Sequence, residues 1–303
     1  MIKTVTAINY LREEVKIKLS DMSPSHGLII TDMSGLGPPK ANINTTTISS
    51  GDGTLYNSAR LDDRNITIKL LFVDAPSIEA ARQNTYRYFP VKKPITLKID
   101  TDNRSVYTVG YVESNEPTIF NNKESCQISI ICPDSHFYSN ALNETVFCGI
   151  EPDFEFPFSN ESLSENLLNF GNIIKPTRSR NIYYDGDDEI GIVIKIHALG
   201  DISDVTIWNT KTKEKMKIYA DKLKTITGSA LKNGDDIIIN TEDGYKSVKL
   251  LREGKYTNII NCIDRFSDWF KLSKGSNTMA FEANAGYNNI VFKIENKISY
   301  EGI

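Results

Sequence analysis

The stretch Ile48–Phe72 reads ISSGDGTLYNSARLDDRNITIKLLF and contains the clearest structural signal in the chain. Within Arg64–Asp74, apolar and polar residues alternate, so that one face carries Ile66, Ile68, Leu70 and Phe72. This period of two is typical of a half-buried antiparallel strand. The residues ahead of the strand determine whether the region is a binding site or only a turn.

The tripeptide Gly51-Asp52-Gly53 lies shortly before this strand. A phosphate-binding P-loop needs a lysine after its last glycine and a following helix. A dinucleotide fingerprint needs a third glycine between a strand and a helix. Neither condition is met. The sequence therefore predicts that the glycines allow the positive φ of a turn, and that the motif binds no phosphate or metal.

Further strands are predicted around a single helix in the first half. Pro94–Asp100 repeats the alternation, and Arg104–Glu113 and Ser125–Cys132 also have the composition of strands. Helical spacing predicts a helix over Ser77–Phe89, which Pro90 ends. The first half is thus predicted to be an antiparallel β domain with one helix.

The second half has the sequence pattern of an antiparallel β-sandwich, because short predicted strands alternate with glycine-containing turns. The strands are predicted at Ile190–His197, Asp204–Trp208, Glu214–Tyr219, Asp236–Asn240, Ser247–Leu251 and Asn289–Glu295. Between the halves, Pro, Asn, Ser and Asp become frequent. The predicted division is therefore a domain over 1–140, a connecting segment over 141–185 and a second domain over 186–303.

Composition excludes several classes of protein. The chain has 303 residues with 35 Lys+Arg against 39 Asp+Glu, which is not the basic surplus that nucleic-acid binding needs. No apolar run is long enough for membrane insertion. The start MIKTVTAINYLREEVKIKL lacks the apolar core of a signal peptide, which predicts cytoplasmic synthesis without Sec-type export. Four cysteines without a CxxC pair predict reduced thiols.

No pattern of catalytic or ligating residues is found. The histidines His26, His136 and His197 are scattered, and no G-x-S-x-G motif accompanies them. Cys132 and His136 lack the second pair of ligands that zinc needs. The run Asp185–Glu189 lacks the ligand spacing of a calcium loop. The sequence therefore predicts no catalytic, cofactor-binding or metal-binding residues, no cofactor, and a protein that is not an enzyme.

Several segments follow the order seen in tail components of long-tailed phages. In the first half these include GLIITDMSGLGPP, SIEAARQNTYRYFPVKKPITLKI and ISIICPDSHFY. Over about residues 15–140 the chain resembles a distal tail protein of the siphophage tail-component family. In the second half, GDDIIINTEDGYKSV and LSKGSNTMAFEANAGYNNIVFKI resemble the C-terminal region of such proteins. In relatives that region is a galectin-like β-sandwich, which the resemblance implies here.

The resemblance implies a structural role at the tail tip of a virion, assembled in the bacterial cytoplasm. Distal tail proteins form homo-hexameric rings that join the tail tube protein to a tail-associated hub protein, and in some phages they carry receptor-binding proteins. The segment 34–60 is long and rich in Gly, Pro, Thr and Ser, which suits an extended arm or hairpin that orders on assembly.

Arg60, Asp62 and Arg64 are the candidate subunit-interface residues. One interpretation is that the arginines only decorate an exposed turn, where ion pairs contribute about 0–1 kcal/mol. The other is that one of them pairs across the subunit boundary. Charge reversal at Arg64 is then expected to impair the ring and to leave the melting temperature of the monomer nearly unchanged.

The alternative function is a carbohydrate-binding module that recognises host cell-wall sugars through the C-terminal sandwich. Such a site needs an exposed aromatic platform beside polar groups. The sequence predicts core burial for Trp208 and Trp269, and exposure for Tyr245 and Tyr256 near turns. It therefore predicts a domain that does not bind simple galactosides and serves as a spacer or docking surface.

Overall fold

The computed structural model describes residues 1–49, 51–121, 123–147, 150–151, 172–173 and 178–303. These residues form two compact units, the first being Met1–Ala141 together with Ser299–Ile303, and the second Leu142–Ile298. Residues 299–303, which the predicted division assigns to the second domain, thus belong to the first unit. Most of the predicted connecting segment lies outside the described residues, and its limits stay a prediction.

The first unit consists mainly of strands. Its elements in chain order are β1 (Ile2–Ile8), β2 (Glu14–Lys18), β3 (Leu28–Ser34), β4 (Ala41–Thr47), β5 (Thr54–Leu61), β6 (Arg64–Phe72), α1 (Ile78–Tyr88), β7 (Pro94–Thr101), β8 (Ser105–Thr118), β9 (Ser125–Cys132) and β10 (Phe137–Ser139).

The second unit is also mainly strand. Its elements are β11 (Asn143–Val146), β12 (Ile150–Glu151), β13 (Asn172–Ile173), β14 (Ser179–Tyr184), β15 (Ile190–Gly191), β16 (Val193–Ala198), β17 (Ser203–Asn209), β18 (Glu214–Ile218), α2 (Ala220–Thr227), β19 (Asp236–Asn240), β20 (Ser247–Arg252), β21 (Lys255–Asn258), β22 (Lys271–Leu272), β23 (Gly275–Ala285) and β24 (Ile290–Asn296), with two short 3-10 helices, Ile260–Cys262 and Tyr287–Asn289. The chain then returns to the first unit as β25 (Ser299–Tyr300).

A nine-stranded antiparallel sheet forms the body of the first unit. Seven strands follow the order β2-β1-β7-β8-β9-β6-β3, and β10 pairs with both β8 and β25. On β6 every second residue is buried, and Ile66, Ile68, Leu70 and Phe72 all belong to the core. The alternation predicted from the sequence is confirmed because only one face of this strand meets the core.

The helix α1 packs against this sheet and confirms the predicted helix. The Ser77 side chain caps its first turn, where Oγ accepts a hydrogen bond from the Ala80 N–H at 3.1 Å. Such a cap satisfies a backbone donor that has no partner within the helix. Ala81 and Thr85 are the buried residues of the helix, and Phe89 follows it into the core.

The second unit contains two antiparallel sheets, in the orders β11-β24-β16-β19-β20-β21 and β14-β23-β17-β18. Phe292 on the first sheet stacks on Phe281 on the second, with ring centroids 4.6 Å apart. Contact between buried rings of two different sheets is the packing of a β-sandwich. The mainly β fold class is confirmed, and the galectin-like character of this unit stays a prediction.

Several elements of the second unit, among them β23 and α2, have no counterpart among the predicted ones. The strand β23 contains buried Asn277 among its apolar residues, and its sequence GSNTMAFEANA hides the alternation. The helix α2 buries only Leu223, so its sequence has no apolar stripe from which to predict it. Both elements are held in place by packing against distant strands.

Candidate assembly surfaces

The hairpin formed by β4 and β5 holds Gly51-Asp52-Gly53 near its tip. Gly53 has a φ of 95°, in the left-handed region that glycine enters without strain. The predicted turn is therefore confirmed at Gly53, and the expectation that the motif binds no phosphate or metal stays a prediction.

The two faces of this hairpin differ in chemistry. Residues directly opposite each other share a face, and successive residues change face. The register therefore gives a mainly apolar face with Ala41, Ile43, Thr45, Tyr56, Ala59 and Leu61, and a mainly polar face with Asn42, Asn44, Thr46, Leu55, Ser58 and Arg60. Ile43 is 59% exposed and Tyr56 is 65% exposed. The apolar face is thus largely uncovered in the single chain.

A second uncovered apolar surface lies on the outer face of β8. Val109 is 45% exposed and Tyr111 is 49% exposed, although β8 lies between β7 and β9 within the sheet. Opposite Tyr111 on β9 is Ile131, which is partly exposed. The sequence already indicates this surface, because SVYTVGYV has valine or tyrosine on both faces of the strand.

Arg60 and Asp62 lie at the base of the hairpin. Arg60 is on its polar face, and its Nε is 3.9 Å from Asp62 Oδ1. Both side chains are substantially exposed, so this ion pair contributes little to stability. The residues are accessible to a partner, and their role at a subunit interface stays a prediction.

Arg64 is only 3% exposed, so the interpretation that it decorates an exposed turn is wrong. Its guanidinium donates to the carbonyls of Ser135 (2.7 Å), Gly35, Gly37 and Glu301 (2.6 Å each). It also lies over the Phe137 ring, 4.3 Å from the centroid. These contacts join three segments of the first unit.

The burial of Arg64 has an electrostatic consequence. Loss of solvation lowers the pKa of its guanidinium from the ordinary value, since burial disfavours the charged form. Backbone carbonyl oxygens replace the lost water as acceptors. Arg64 can therefore influence an interface only through the segments that it holds, and its interface role stays a prediction.

Two aromatic predictions for the second unit are wrong. Trp208 and Trp269 are both partly exposed, whereas core burial was expected. On β17 the buried positions are Val205, Ile207 and Asn209, so Trp208 points to the opposite face. The expected exposure of Tyr245 and Tyr256 is confirmed.

The candidate ligating groups lie apart. His197 Nδ1 is 2.7 Å from Asp236 Oδ1, His136 lies beside Asp134, and His26 is in a separate turn. Within the described ranges, no three side chains of His, Cys, Asp or Glu are close enough together to hold a metal ion. In the same part of the chain, no helix is both long and apolar enough to span a membrane.

Residues 185–295 match the family described as siphovirus-type tail component, C-terminal domain. The match covers 111 of the 303 residues. Over these residues the chain is similar to phage tail components. The resemblance found in the sequence is confirmed by this match.

Two solved structures are similar in fold over nearly the whole chain. The crystal structure of the SPP1 Dit (gp 19.1) protein, described as a paradigm of hub adsorption apparatus in phages that infect Gram-positive hosts, has a TM-score of 0.65 at 12% identity. The alignment covers 98% of this chain and 99% of that one. A chain of the phage P2 baseplate in its activated conformation with Ca has a TM-score of 0.50 at 11% identity, with both chains covered completely. No curated protein matches the chain.

Proposed function

We propose that the chain is a distal tail adaptor, which forms a homo-hexameric ring and joins the tail tube to the tail tip or baseplate hub. The observation that carries this proposal is the amphipathic β4–β5 hairpin, whose apolar face is uncovered in the single chain. A two-stranded hairpin is marginally stable in water. Burial of one large apolar side chain contributes about 1.5–3 kcal/mol, so covering Ile43 and Tyr56 favours association.

A closed ring needs two different surfaces on each copy, because its contacts run head to tail. The apolar hairpin face and the exposed strip at Val109 and Tyr111 supply two such surfaces. Arg60 and Asp62, at the base of the hairpin, are the proposed polar contacts at its rim. The number six comes from the family resemblance.

The proposed partners are the tail tube protein on one side and a tail-associated hub protein on the other. A receptor-binding protein is a further proposed partner. These partners follow from the family resemblance and from the similarity in fold to the SPP1 Dit protein. The proposed role is structural and involves no catalysis.

The test compares two substitutions at adjacent hairpin positions. Ala59→Asp places a carboxylate on the apolar face, and Ser58→Asp places the same group on the polar face. Both positions are exposed, so neither change is expected to alter the melting temperature. Light scattering after gel filtration, with negative-stain microscopy, should show a six-fold ring for the unmodified chain and for Ser58→Asp. Ala59→Asp should be monomeric.

Two results would contradict the proposal. An unmodified chain that remains monomeric at every concentration tested would exclude a self-assembling ring. A ring that persists with Ala59→Asp would show that the apolar hairpin face is not the interface.

A carbohydrate-binding module is the second candidate function. The specific observation in its favour is that Trp269 is partly exposed and lines a cavity together with polar side chains.

A further inference from the structure

The second unit contains an open cavity of about 340 Å³ between α2 and the segment 260–269. Its volume is at the lower end of the range of about 300–1,000 Å³ that is usual for small-molecule sites. The lining combines one aromatic ring with five polar side chains, namely Trp269, Lys222, Asn261, Asp264, Arg265 and Ser267.

One wall of this cavity is fixed to the sheet by backbone hydrogen bonds. The N–H of Asp264 donates to the Lys217 carbonyl, and the N–H of Asp268 donates to the Lys215 carbonyl, both at 2.8 Å. The Lys217 N–H in turn donates to Ser267 Oγ at 3.1 Å. The wall therefore lies alongside β18, to which an isolated bridge between Ile218 and Ile263 also joins it. A site built on such a wall is largely formed before any ligand arrives.

Several polar groups in the cavity have no partner within the part of the chain that the structure describes. The side chains of Asn261, Asp264 and Arg265 make no hydrogen bond or ion pair there. Lys222 Nζ has a long hydrogen bond of 3.4 Å to the Ile263 carbonyl and lies 4.7 Å from the centroid of the Tyr219 ring. Arg265 lies 5.9 Å from the centroid of the Phe266 ring. The amide, the carboxylate and the two cations are therefore available to a ligand.

Trp269 gives the cavity an aromatic surface. Lys246 Nζ lies 5.8 Å from the centroid of its ring. An amphipathic ring of this kind packs against apolar C–H surface while neighbouring groups form hydrogen bonds. A sugar ring presents both kinds of surface, with C–H groups on its faces and hydroxyls around its edge. The Asn261 amide and the Asp264 carboxylate can form hydrogen bonds with these hydroxyls. The lining carries a net positive charge, because Lys222 and Arg265 outnumber the single carboxylate of Asp264.

We propose that this cavity binds a saccharide unit that carries a negative charge, with Trp269 as the stacking surface and with Arg265 and Lys222 paired with the acidic group. The inference is independent of the ring-forming role and specifies the ligand of the second candidate function. It agrees with the expectation that simple galactosides do not bind, because these lack the acidic group.

The test uses Trp269 as its own reporter. The chain has two tryptophans, so Trp208→Phe leaves Trp269 as the sole one. The full-length variant is titrated with trigalacturonate, with neutral galactotriose and with inorganic phosphate, and tryptophan emission is recorded. Trigalacturonate should give a saturable change. Galactotriose should bind about tenfold more weakly or worse, because it lacks a charge-assisted hydrogen bond.

A matched pair of arginine substitutions locates the site. Arg265→Gln should weaken trigalacturonate binding about tenfold, as loss of one charged partner does. Arg180→Gln changes an exposed arginine on β14 and should leave the affinity unchanged. Calorimetric titration of the unmodified chain repeats the comparison of the sugars without depending on the Trp208→Phe variant.

Each of the following results would overturn the proposal. Neither sugar produces a saturable signal, or Arg180→Gln weakens binding as much as Arg265→Gln does. Saturation by inorganic phosphate at the same concentration as trigalacturonate would indicate an adventitious ion only.

Discussion

Replacement of Arg64 by methionine removes a buried cation and leaves a side chain of similar length. The guanidinium donates four hydrogen bonds, to the carbonyls of Gly35, Gly37, Ser135 and Glu301. Arg64→Met deletes all four, and it also deletes the contact with the Phe137 ring. The Ser135 carbonyl then loses a charged donor at a buried position, whereas Gly35 and Gly37 are exposed to water.

The expected loss is about 3 kcal/mol in the free energy of unfolding of the first unit. A hydrogen bond to a charged group contributes about 1.5–3 kcal/mol net, and the sum over the four bonds is the upper bound of the loss in stability. Removal of the buried charge also relieves a desolvation cost of several kcal/mol, which lowers the sum. For a unit of this size, each kcal/mol corresponds to about 2–4 °C, so the melting temperature should fall by roughly 6–12 °C.

Scanning calorimetry of the full chain measures this loss, and Arg60→Met is the matched control. Arg60 is exposed, and among the described residues its one ion pair is the 3.9 Å contact with Asp62. Its replacement should therefore change stability by less than about 0.5 kcal/mol. The earlier expectation of an unchanged melting temperature after charge reversal at Arg64 does not fit a residue with this burial. Equal melting temperatures for Arg64→Met and Arg60→Met would refute the reasoning.

Three further predictions concern other parts of the chain. Ser77→Ala removes the cap of α1 and should lower stability by about 1 kcal/mol, seen as a lower urea midpoint with an unchanged slope. Asp235→Ala should cost the second unit about 3–5 kcal/mol in calorimetry, because Arg252 Nη2, now 2.6 Å from the carboxylate, is left without its anion. Burial alone raises the pKa of Asp235, but hydrogen bonds from Arg252 and the Lys232 N–H hold it below the ordinary value. This stabilisation is therefore fully present above about pH 4 and should be lost as the pH falls through the lowered pKa, a loss that Asp235→Ala should abolish. Burial raises the pKa of the Cys126 thiol to about 12. Iodoacetamide should therefore label Cys126 at least about a hundredfold more slowly in the folded chain than in the unfolded chain. Similar labelling rates in the two states would contradict its burial.

The parts of the fold that local sequence determines were predictable. The strand β6 and the helix α1 each bury one face, so their periods of two and of 3.6 residues can be seen in the sequence. The strand β23 was not predictable in this way, because small and polar residues mask its period. The helix α2 has a single buried residue and therefore gives no periodic signal.

The candidate surfaces were only partly predictable. The alternation along β6 puts Arg64 on the same face as Ile66, which indicates that Arg64 is buried. The carbonyls that accept hydrogen bonds from Arg64 are, however, 27 to 237 residues away in the chain. No local pattern gives such distant partners. For Trp208, the size of an aromatic side chain favoured burial, whereas the phase set by Val205 and Ile207 puts it on the outer face. The alternation of buried positions along β17 therefore predicts the exposure of Trp208 better than the size of its side chain does.

The return of Ser299–Ile303 to the first unit has a consequence for the order of events during synthesis. β25 pairs with β10, and Glu301 accepts a hydrogen bond from Arg64, yet the whole of Leu142–Ile298 is translated in between. At about 5–20 residues per second, a ribosome needs roughly 8–30 s for that insertion. A nascent chain therefore carries its hairpin on an incomplete first unit throughout this interval. Completion of the first unit therefore follows translation of the second unit.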